Sequence, residues 1–521
     1  MHTLRFIYKK YISNYTIDLL MLIWIIYSIL CGLLISQSWN NVILYLTILS
    51  GYFSCRILSI RPKILFCTIM FISASQSLVS IAQFLGYLES YHSLFLVTGS
   101  FGNPGQLGCF LAIGIMCTIS LLHARNSLSS NIALAVLLTL QILASIISNS
   151  RTSWVSIIIG LLFLYYNTNI IKRKYVKVTT CIVVFILFVC LYFYRTQSAN
   201  GRLFIWRVCI EMVIDKPIFG HGPGGFNKKY MLYQADYFRQ NPNSINVKYS
   251  DNVSYPYNEF LHILVECGII GLFLWLAIIV SALVISRKAN LYKAPFISFL
   301  VLCMFSYPFY VPSLLILFPV LLSATNYNKD ENKDSLIRSK ILFFIILFCI
   351  IVTSKKYIII HRCNNAVHQL YNASDPIKKQ NALCYIESNI NTIKNHIFLS
   401  DMYAQYVFTH YSKECALSIL NEIKAFSPTS EIYCDIGDLY QEIGDTNQAI
   451  SSYTIASYMI PRRIVPKYKL FLLYKDSGDI ISAMKYGDEI LSSKTHIENT
   501  QTLRIKRVVK CFCDNIKLHT K

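Results

Sequence analysis

The chain has 521 residues, of which 54% are hydrophobic and 14% are charged, and its mean hydropathy is +0.46. This composition excludes an ordinary soluble globular domain and is typical of an integral membrane protein. The formal net charge of +21 does not indicate nucleic-acid binding. The excess lies in short Lys and Arg clusters between apolar runs, where the positive-inside rule accounts for it. The 17 cysteines have no CxxC or zinc-ligand spacing, so we expect no structural metal.

Apolar stretches long enough to cross a bilayer recur before residue 360 and predict about eleven spans. The first stretch follows a basic N-terminus and is too long for a cleaved signal peptide. The pair that flanks Pro308 and Pro312 is the least regular and fits a re-entrant pair as well as two spans. The predicted spans are residues 17–36, 40–58, 63–85, 106–123, 130–149, 153–171, 177–194, 259–285, 294–310, 312–325 and 339–354.

The distribution of Lys and Arg between these spans predicts their orientation. With the N-terminus in the cytoplasm, the basic loops fall inside, and the external loops 36–40, 86–105 and 309–312 contain no Lys or Arg. The polar segment 195–258 then lies outside the membrane, and so does the C-terminal part. The basic residues assigned to the inside are Arg56, Arg61, Lys63, Arg125, Lys172, Arg173, Lys174, Lys177, Arg287, Lys288, Lys293, Lys329, Lys333, Arg338 and Lys340.

Two short motifs lie at predicted external turns. Asn103-Pro104-Gly105 predicts a tight turn, which is either purely structural or brings the backbone close to a lipid-linked substrate. Arg151 stands alone at the external membrane boundary, where positive charge is disfavoured. Its position indicates an anionic partner, and snorkelling to anionic lipid is the alternative.

The external segment begins with a predicted amphipathic helix that would lie along the membrane surface. Arg207, Glu211 and Asp215 are spaced by four residues, which predicts an exposed ion-pair ladder. Arg202 falls outside this ladder and is the better candidate for binding a ligand. The apolar residues at helical spacing are Leu203, Trp206, Ile210 and Val213.

A glycine-rich stretch follows this helix. Gly220, Gly222 and Gly225 fit the pattern GxGxxG, but Pro223 interrupts it and no strand is predicted before it. We therefore reject dinucleotide binding and expect a turn that brings backbone close to the membrane. His221 lies within this turn.

Ionisable residues continue into the next predicted span. Asn258 is suited to cap the start of that helix, and Tyr257 precedes it. Glu259, His262 and Glu266 share one helical face on a membrane helix, where ionisable groups are costly. Such a face normally lines a polar cavity.

The C-terminal part carries a repeat pattern typical of tetratricopeptide repeats. The matching residues are Tyr433, Ile436, Gly437, Tyr440, Gly444, Ala449, Tyr453, Ala456 and Pro461, with Tyr474, Gly478 and Ala483 one 34-residue step later and Tyr406 one step earlier. At least three helical hairpins are predicted, because single repeats are unstable alone. A generic helical bundle is the alternative. Such repeats usually bind protein partners.

Together, the motifs at 148–154, 201–226 and 257–271 resemble the O-antigen ligase and polymerase family of bacterial envelope enzymes. The resemblance extends from about residue 99 to 275. It implies transfer of a glycan from undecaprenyl-pyrophosphate to a lipid A core sugar, a growing polysaccharide or a protein hydroxyl at the periplasmic face of the inner membrane. It implies neither metal nor nucleotide cofactor.

The resemblance also assigns roles to residues. It maps the family's two external arginines onto Arg151 and Arg202, which would bind pyrophosphate. Ligases of the family have His where this chain has Tyr257, so the expected general base is missing. We rank Glu259 first and His262 second as replacements. Asn258 shares their polar face, and further possible site-lining residues are His221 and Arg207.

The sequence therefore predicts an all-α membrane enzyme without cofactors, with a transmembrane domain at 1–360 and a repeat domain at 362–521. The repeat domain and the 195–258 loop are expected in the periplasm. A non-enzymatic scaffold for polysaccharide assembly or export is the competing class. A transporter is disfavoured, because no paired broken helices are evident.

Overall fold

The computed structural model describes residues 2–36, 40–124, 127–165, 182, 193, 195–285, 290–327, 355, 358–394, 396–493 and 500–519. All regular elements within these residues are helical, in agreement with the predicted all-α fold class. The chain divides into two compact units. The first comprises Met1–Thr196, Pro217–Pro223 and Pro256–Ser354, and the second comprises Gln197–Lys216, Gly224–Tyr255 and Lys355–Lys521.

The first unit contains the apolar helices. Their bounds are α1 His2–Cys31, α2 Asn40–Ile57, α3 Pro62–Phe84, α4 Pro104–His123, α5 Leu128–Ile147, α6 Arg151–Tyr165, α9 Glu259–Val280, α10 Asn290–Phe305, α11 Pro312–Leu315 and α12 Leu317–Thr325. Short π-helical turns extend α1 and α9, at Gly32–Ser36 and Ser281–Ile285.

Candidate membrane spans are found in this unit. Among the described residues, five helices are long and apolar enough to cross a membrane: Thr16–Ile35, Pro62–Phe84, Pro104–His123, Leu128–Ile147 and Glu259–Val284. All five coincide with predicted spans. Shorter apolar helices occupy Arg151–Tyr165, Asn290–Phe305 and Pro312–Thr325, where further spans are predicted. The total of eleven spans stays a prediction.

Part of the predicted topology lies outside the described residues. This applies to the spans 177–194 and 339–354 and to most of the basic residues assigned to the cytoplasm. Those basic residues are Arg125, Lys172, Arg173, Lys174, Lys177, Arg287, Lys288, Lys329, Lys333, Arg338 and Lys340.

The core of the first unit is built from stacked aromatic rings. Trp275 of α9 stacks on Phe318 with ring centroids 4.6 Å apart and contacts Trp24 of α1 at 4.7 Å. All three side chains are buried. Helix α4 is mostly buried, whereas α5 exposes apolar side chains such as Leu128 and Ile132. An apolar outer surface of this kind suits lipid.

The second unit contains the two loop helices and the C-terminal helices. Their bounds are α7 Thr196–Asp215, α8 Gly225–Gln240, α13 Pro376–Ser388, α14 Ile390–Ile393, α15 Ile397–His410, α16 Lys413–Lys424, α17 Ser430–Ile443, α18 Thr446–Met459, α19 Val465–Asp476, α20 Ile480–Ser492 and α21 Thr500–His519.

Helices α15 to α20 form successive packed pairs, as expected of helical hairpins. Gly437 of α17 meets the ring of Tyr453 in α18 so closely that an added Cβ would lie 2.5 Å from a ring carbon. Gly444 and Gly478 adopt positive φ angles of 94° and 78° where helices end. These features explain why small residues stand at those positions, and the tetratricopeptide assignment stays a prediction.

The loop helices are anchored to the C-terminal helices within this unit. The Gln234 side chain in α8 is fully buried and donates from Nε2 to the carbonyl oxygens of Met459, at 2.6 Å, and Asp251, at 3.1 Å. Arg462 forms an ion pair of 2.8 Å with Asp251. Much of the 195–258 segment thus packs with the helices after residue 358, although the predicted domain boundary separated them. The predicted boundary at 360–362 stays a prediction.

Candidate functional site

The candidate site is built around the start of α9. Asn258 caps this helix as predicted, because its Oδ1 accepts a hydrogen bond of 3.0 Å from the backbone N–H of Leu261. Tyr257 has a positive φ of 55°, an uncommon conformation for a residue other than glycine. Its ring contacts the Tyr307 ring edge-on, with centroids 5.2 Å apart. Cap and turn together determine where Glu259 begins the helix.

Glu259, His262 and Glu266 form one buried cluster on α9. Nδ1 of His262 lies 3.4 Å from Oε2 of Glu259, and Nε2 lies 3.2 Å from Oε1 of Glu266. The three residues are at most 3% exposed. The predicted shared face is therefore confirmed as a contiguous cluster, with the imidazole between two carboxylates.

The segment that follows α10 completes this cluster. The backbone N–H of Phe309 donates to Oε1 of Glu259 at 2.9 Å, and the hydroxyl of Tyr310 lies 3.1 Å from Nε2 of His262. From α2, the hydroxyl of Tyr45 donates to Oε2 of Glu266 at 3.4 Å. Tyr310 is only partly buried, unlike the other groups, so it forms the accessible end of the cluster.

This arrangement can store and pass a proton. An imidazole presents N–H groups to both carboxylates only when both ring nitrogens are protonated. In its neutral form, Nε2 can instead accept from the hydroxyl of Tyr310. The same side chains thus accommodate His262 either neutral, accepting from the Tyr310 hydroxyl, or protonated on both nitrogens and facing the two carboxylates, as general acid–base chemistry requires.

A break in α9 lies directly after the cluster. Gly268 has φ 64° and ψ −168°, which interrupts the helix and frees backbone groups on both sides. The backbone N–H groups of His221 and Gly222 donate to the carbonyl oxygens of Val265 and Glu266, at 2.9 and 2.8 Å. The glycine-rich turn therefore packs against the cluster's helix.

This contact accounts for the first two glycines of the GxGxxG pattern. Gly220 and Gly222 have positive φ angles of 69° and 78°. A Cβ on Gly220 would lie 2.6 Å from the Glu266 carbonyl group. The close backbone approach is made to α9, and the expected approach to the membrane stays a prediction. His221 is buried next to α9 with 3% exposure. Dinucleotide binding remains rejected, because no strand precedes this stretch in the part of the chain that the structure describes.

Arg151 is the first residue of α6. The preceding turn contains Asn149 with a positive φ of 50°, and a 2.6 Å hydrogen bond joins Ser153 to Ser150. The Arg151 guanidinium donates to the carbonyl oxygen of Arg195 at 3.5 Å, a weak contact. Arg151 is therefore held at a helix start in the first unit.

The earlier turn at Asn103 has a structural role. Oδ1 of Asn103 accepts the backbone N–H of Gly105 at 2.7 Å, and Pro104 occupies the first position of α4. The residues thus form an ordinary helix start.

Arg202 and Arg207 lie on α7 in the second unit. The predicted ion-pair ladder is wrong, because no ion pair joins Arg207 to Glu211 in the part of the chain that the structure describes. Instead, the Arg207 guanidinium lies 5.1 Å from the ring centroid of Tyr237, and the Tyr233 hydroxyl donates to Asp215 at 2.6 Å. Burial raises the pKa of Glu211, and the positive charge of nearby Arg207 partly offsets this increase.

Helix α7 buries a different apolar face from the predicted one, because Phe204, Val208 and Met212 pack within the second unit. Leu203 and Ile210, which belong to the predicted face, are about half exposed. This exposed apolar face keeps open the predicted position along the membrane surface.

The contacts that come from other helices were not predicted from the sequence. Tyr310 and Phe309 belong to the run Tyr-Pro-Phe-Tyr-Val-Pro between two apolar stretches, and its prolines and aromatic residues were a usable signal. Tyr45 lies in an ordinary apolar stretch, where no sequence signal indicates a contact with Glu266. Nor did the sequence predict the break at Gly268.

Comparison with known proteins adds independent observations. Residues 133–276 match the family described as O-antigen ligase. The chain is also 22% identical over 464 residues to the ComP-specific O-oligosaccharyltransferase of Acinetobacter baylyi (strain ATCC 33305 / BD413 / ADP1). That alignment covers 84% of this chain and 74% of the relative.

The apolar helices indicate a membrane protein. The similarities support a membrane glycan-transferring enzyme. The matched region 133–276 includes Arg151, Arg202 and the Glu259–His262–Glu266 cluster.

Proposed function

We propose that this protein is a membrane glycosyltransferase that moves a glycan from undecaprenyl-pyrophosphate to an acceptor hydroxyl. The observation that carries the proposal is the buried cluster of Glu259, His262 and Glu266 with Tyr310 at its accessible end. Buried ionisable groups on a membrane helix are costly and normally serve function. The cluster also lies within the region that matches O-antigen ligases.

In the proposed reaction, the acceptor oxygen bonds to the anomeric carbon of the glycan. The bond between that carbon and the pyrophosphate oxygen breaks, and the pyrophosphate leaves on its lipid. The acceptor's proton passes to His262, directly or through the Tyr310 hydroxyl. Glu259 and Glu266 stabilise the imidazolium that forms. Glu259, ranked first from sequence, is better suited to this supporting role, because Phe309 donates to its Oε1 and its Oε2 lies 3.4 Å from Nδ1 of His262.

Arg151 and Arg202 are proposed to bind the pyrophosphate. A guanidinium presents paired N–H donors that match phosphate oxygens. Negative charge on the leaving group grows in the transition state, so these contacts accelerate transfer as well as binding substrate. No metal or nucleotide takes part in this scheme.

The acceptor is proposed to be a protein hydroxyl, with lipid A core sugar and a growing polysaccharide as alternatives. The name of the relative, an O-oligosaccharyltransferase, favours a protein acceptor. Tyr257 at the position of the ligases' histidine also argues against a strict lipopolysaccharide ligase.

We propose the bacterial plasma membrane as the location, with the 195–258 loop and the C-terminal helices in the periplasm. The distribution of Lys and Arg supports this orientation. Since residues 197–216, 224–255 and 355–521 belong to one compact unit, the loop and the C-terminal helices are expected on the same side of the membrane. Tetratricopeptide-like repeats there would suit a protein partner.

The competing proposal is a non-enzymatic scaffold for envelope polysaccharide assembly, in which Arg151 only anchors lipid. The experiment that separates the two compares glycan transfer in cells with Arg151→Ala, Arg202→Ala and the corresponding lysine variants. Alanine should abolish transfer at unchanged protein abundance, and lysine should restore part of it, because a point charge lacks the bidentate fork. Full transfer by both alanine variants would favour the scaffold.

A further inference from the structure

A shallow pocket lies in the second unit, beside the start of the chain segment that follows α8. Its volume is about 460 Å³, and it is lined by Arg207, Tyr237 and residues 241–246. Three of these residues are asparagines, one is a serine, and Ile245 is strongly exposed at the edge. The lining thus combines amides, a hydroxyl, a cation and a small apolar surface.

Tyr237 forms one wall of this pocket and contacts several of the other lining residues. This side chain is 4% exposed. Asn246 donates from Nδ2 to the Tyr237 hydroxyl at 3.0 Å, and that hydroxyl lies 3.1 Å from Oγ of Ser244. The Arg207 guanidinium lies over the Tyr237 ring. The aromatic ring of Tyr237, and not a carboxylate, therefore positions the Arg207 guanidinium.

Two lining residues keep their polar groups available. Among the residues that the structure describes, Arg207 makes no hydrogen bond or ion pair, although Glu211 stands one turn away on the same helix. Asn243 is exposed and likewise forms no hydrogen bond within those residues. A guanidinium offers five donors, and an amide offers two donors and an acceptor.

We propose that this pocket binds a sugar ring of the carrier-linked glycan. Ring hydroxyls are paired donors and acceptors, which suit the side chains of Arg207 and Asn243, while the C–H face of a sugar suits Ile245. A few convergent polar groups around a small apolar surface are typical of ligand sites. The inference rests on the proposed function and extends it to part of the donor.

The position of Arg207 on α7 indicates how far the bound sugar lies from the pyrophosphate. Arg202, the proposed pyrophosphate ligand, precedes it by five residues, which is a rise of about 7.5 Å and a rotation of about 140°. The pocket therefore takes a sugar at a distance from the pyrophosphate. Binding there is remote from the reacting bond, so its loss should raise the KM for the donor more than it lowers kcat.

A binding experiment with the full-length protein in detergent tests this inference. The probe is the free oligosaccharide obtained from the host's carrier-linked glycan by mild acid, which has neither pyrophosphate nor lipid. Arg207→Ala and Asn243→Ala should each weaken binding about tenfold. Within the described residues Asn243 forms no hydrogen bond, so its replacement should not disturb folding. The control is Arg239→Ala, which removes an exposed arginine that pairs with Asp236 at 2.8 Å.

The same measurement on Arg151→Ala separates the pocket from the proposed function. This variant should bind the free oligosaccharide like wild type and fail in transfer. The pocket assignment would be overturned if the wild type did not bind the oligosaccharide, or if Arg207→Ala and Asn243→Ala bound it as tightly as the wild type does. The proposed transfer activity would still be tested separately by Arg151→Ala. A raised KM for the acceptor, with an unchanged KM for the donor, would also overturn the pocket assignment.

Discussion

Nε2 of His262 lies 3.2 Å from Oε1 of Glu266, which stands one helical turn further along α9. If this pair holds the proton taken from the acceptor, His262→Ala should lower the transfer rate by about 10²–10⁴. Glu266→Gln keeps the shape but removes the charge, and should lower the rate by about tenfold or more. Transfer rates measured with the purified His262→Ala and Glu266→Gln variants test both expectations. The control is Glu211→Gln, which makes the same change at a carboxylate on α7 that forms no ion pair with Arg207 among the described residues. Wild-type rates for His262→Ala would exclude the relay.

Tyr257 offers a test of the missing base. Its positive φ of 55° is a conformation in which histidine is enriched among non-glycine residues, so Tyr257→His should fit the existing backbone. An imidazole there would stand at the position of the ligases' histidine and should increase the transfer rate. The rate is measured beside Tyr307→His, which changes the neighbouring ring instead. A decrease specific to Tyr257→His would mean that the tyrosine itself is needed.

The break at Gly268 should be indispensable for folding of the first unit. Its φ is 64°, and a Cβ there would lie 2.1 Å from the carbonyl oxygen of Ile218. Gly268→Ala therefore adds a backbone clash to conformational strain and should lower the thermal unfolding midpoint substantially. Gly86→Ala is the matched control, because Gly86 also has a positive φ, of 81°, but no atom within 4 Å of its added Cβ. Its cost should be only about 1–2 kcal/mol, the strain of an L-residue in the left-handed conformation. Equal midpoints for the two variants would show that the contact with Ile218 is unimportant.

Asp435 in α17 should make stability depend on pH. Burial, assisted by Asp438 and Glu431 and opposed by Lys469, raises the pKa of Asp435 to about 7. An unfolded aspartate has a pKa of about 3.9. The folded chain therefore binds this proton more tightly, which favours folding at low pH and is lost as pH rises through about 7.

The corresponding variant is Asp435→Asn. It should unfold at a higher temperature than wild type at pH 8, and the difference should shrink toward pH 5. Asp479→Asn provides the contrast, because hydrogen bonding to the backbone and side chain of Ser482 lowers the pKa of Asp479, so removing its charge should give no gain at pH 8. A midpoint difference for Asp435→Asn that does not change with pH would contradict this prediction.

Local features of the site were predictable from sequence, whereas its long-range contacts were not. Helical spacing and the cap at Asn258 were enough to predict the face that carries Glu259 and His262. The contact between Tyr310 and His262 joins residues 48 positions apart, and no local pattern encodes it. The ladder from Arg207 failed for a related reason. Exposed ion pairs contribute only about 0.3–0.5 kcal/mol, so contacts with tyrosines of α8 can replace them.

The most direct test of the account is a reaction between the purified protein and an undecaprenyl-pyrophosphate-linked glycan, with a hydroxyl-bearing acceptor protein from the same host. Released undecaprenyl-pyrophosphate and glycosylated acceptor are quantified together, without added metal or nucleotide. Wild type should form equal amounts of both products, and Arg151→Ala and His262→Ala should form neither at matched folding. Unchanged release by His262→Ala and Arg151→Ala, or no consumption of the donor by wild type with any acceptor of that host, would contradict it.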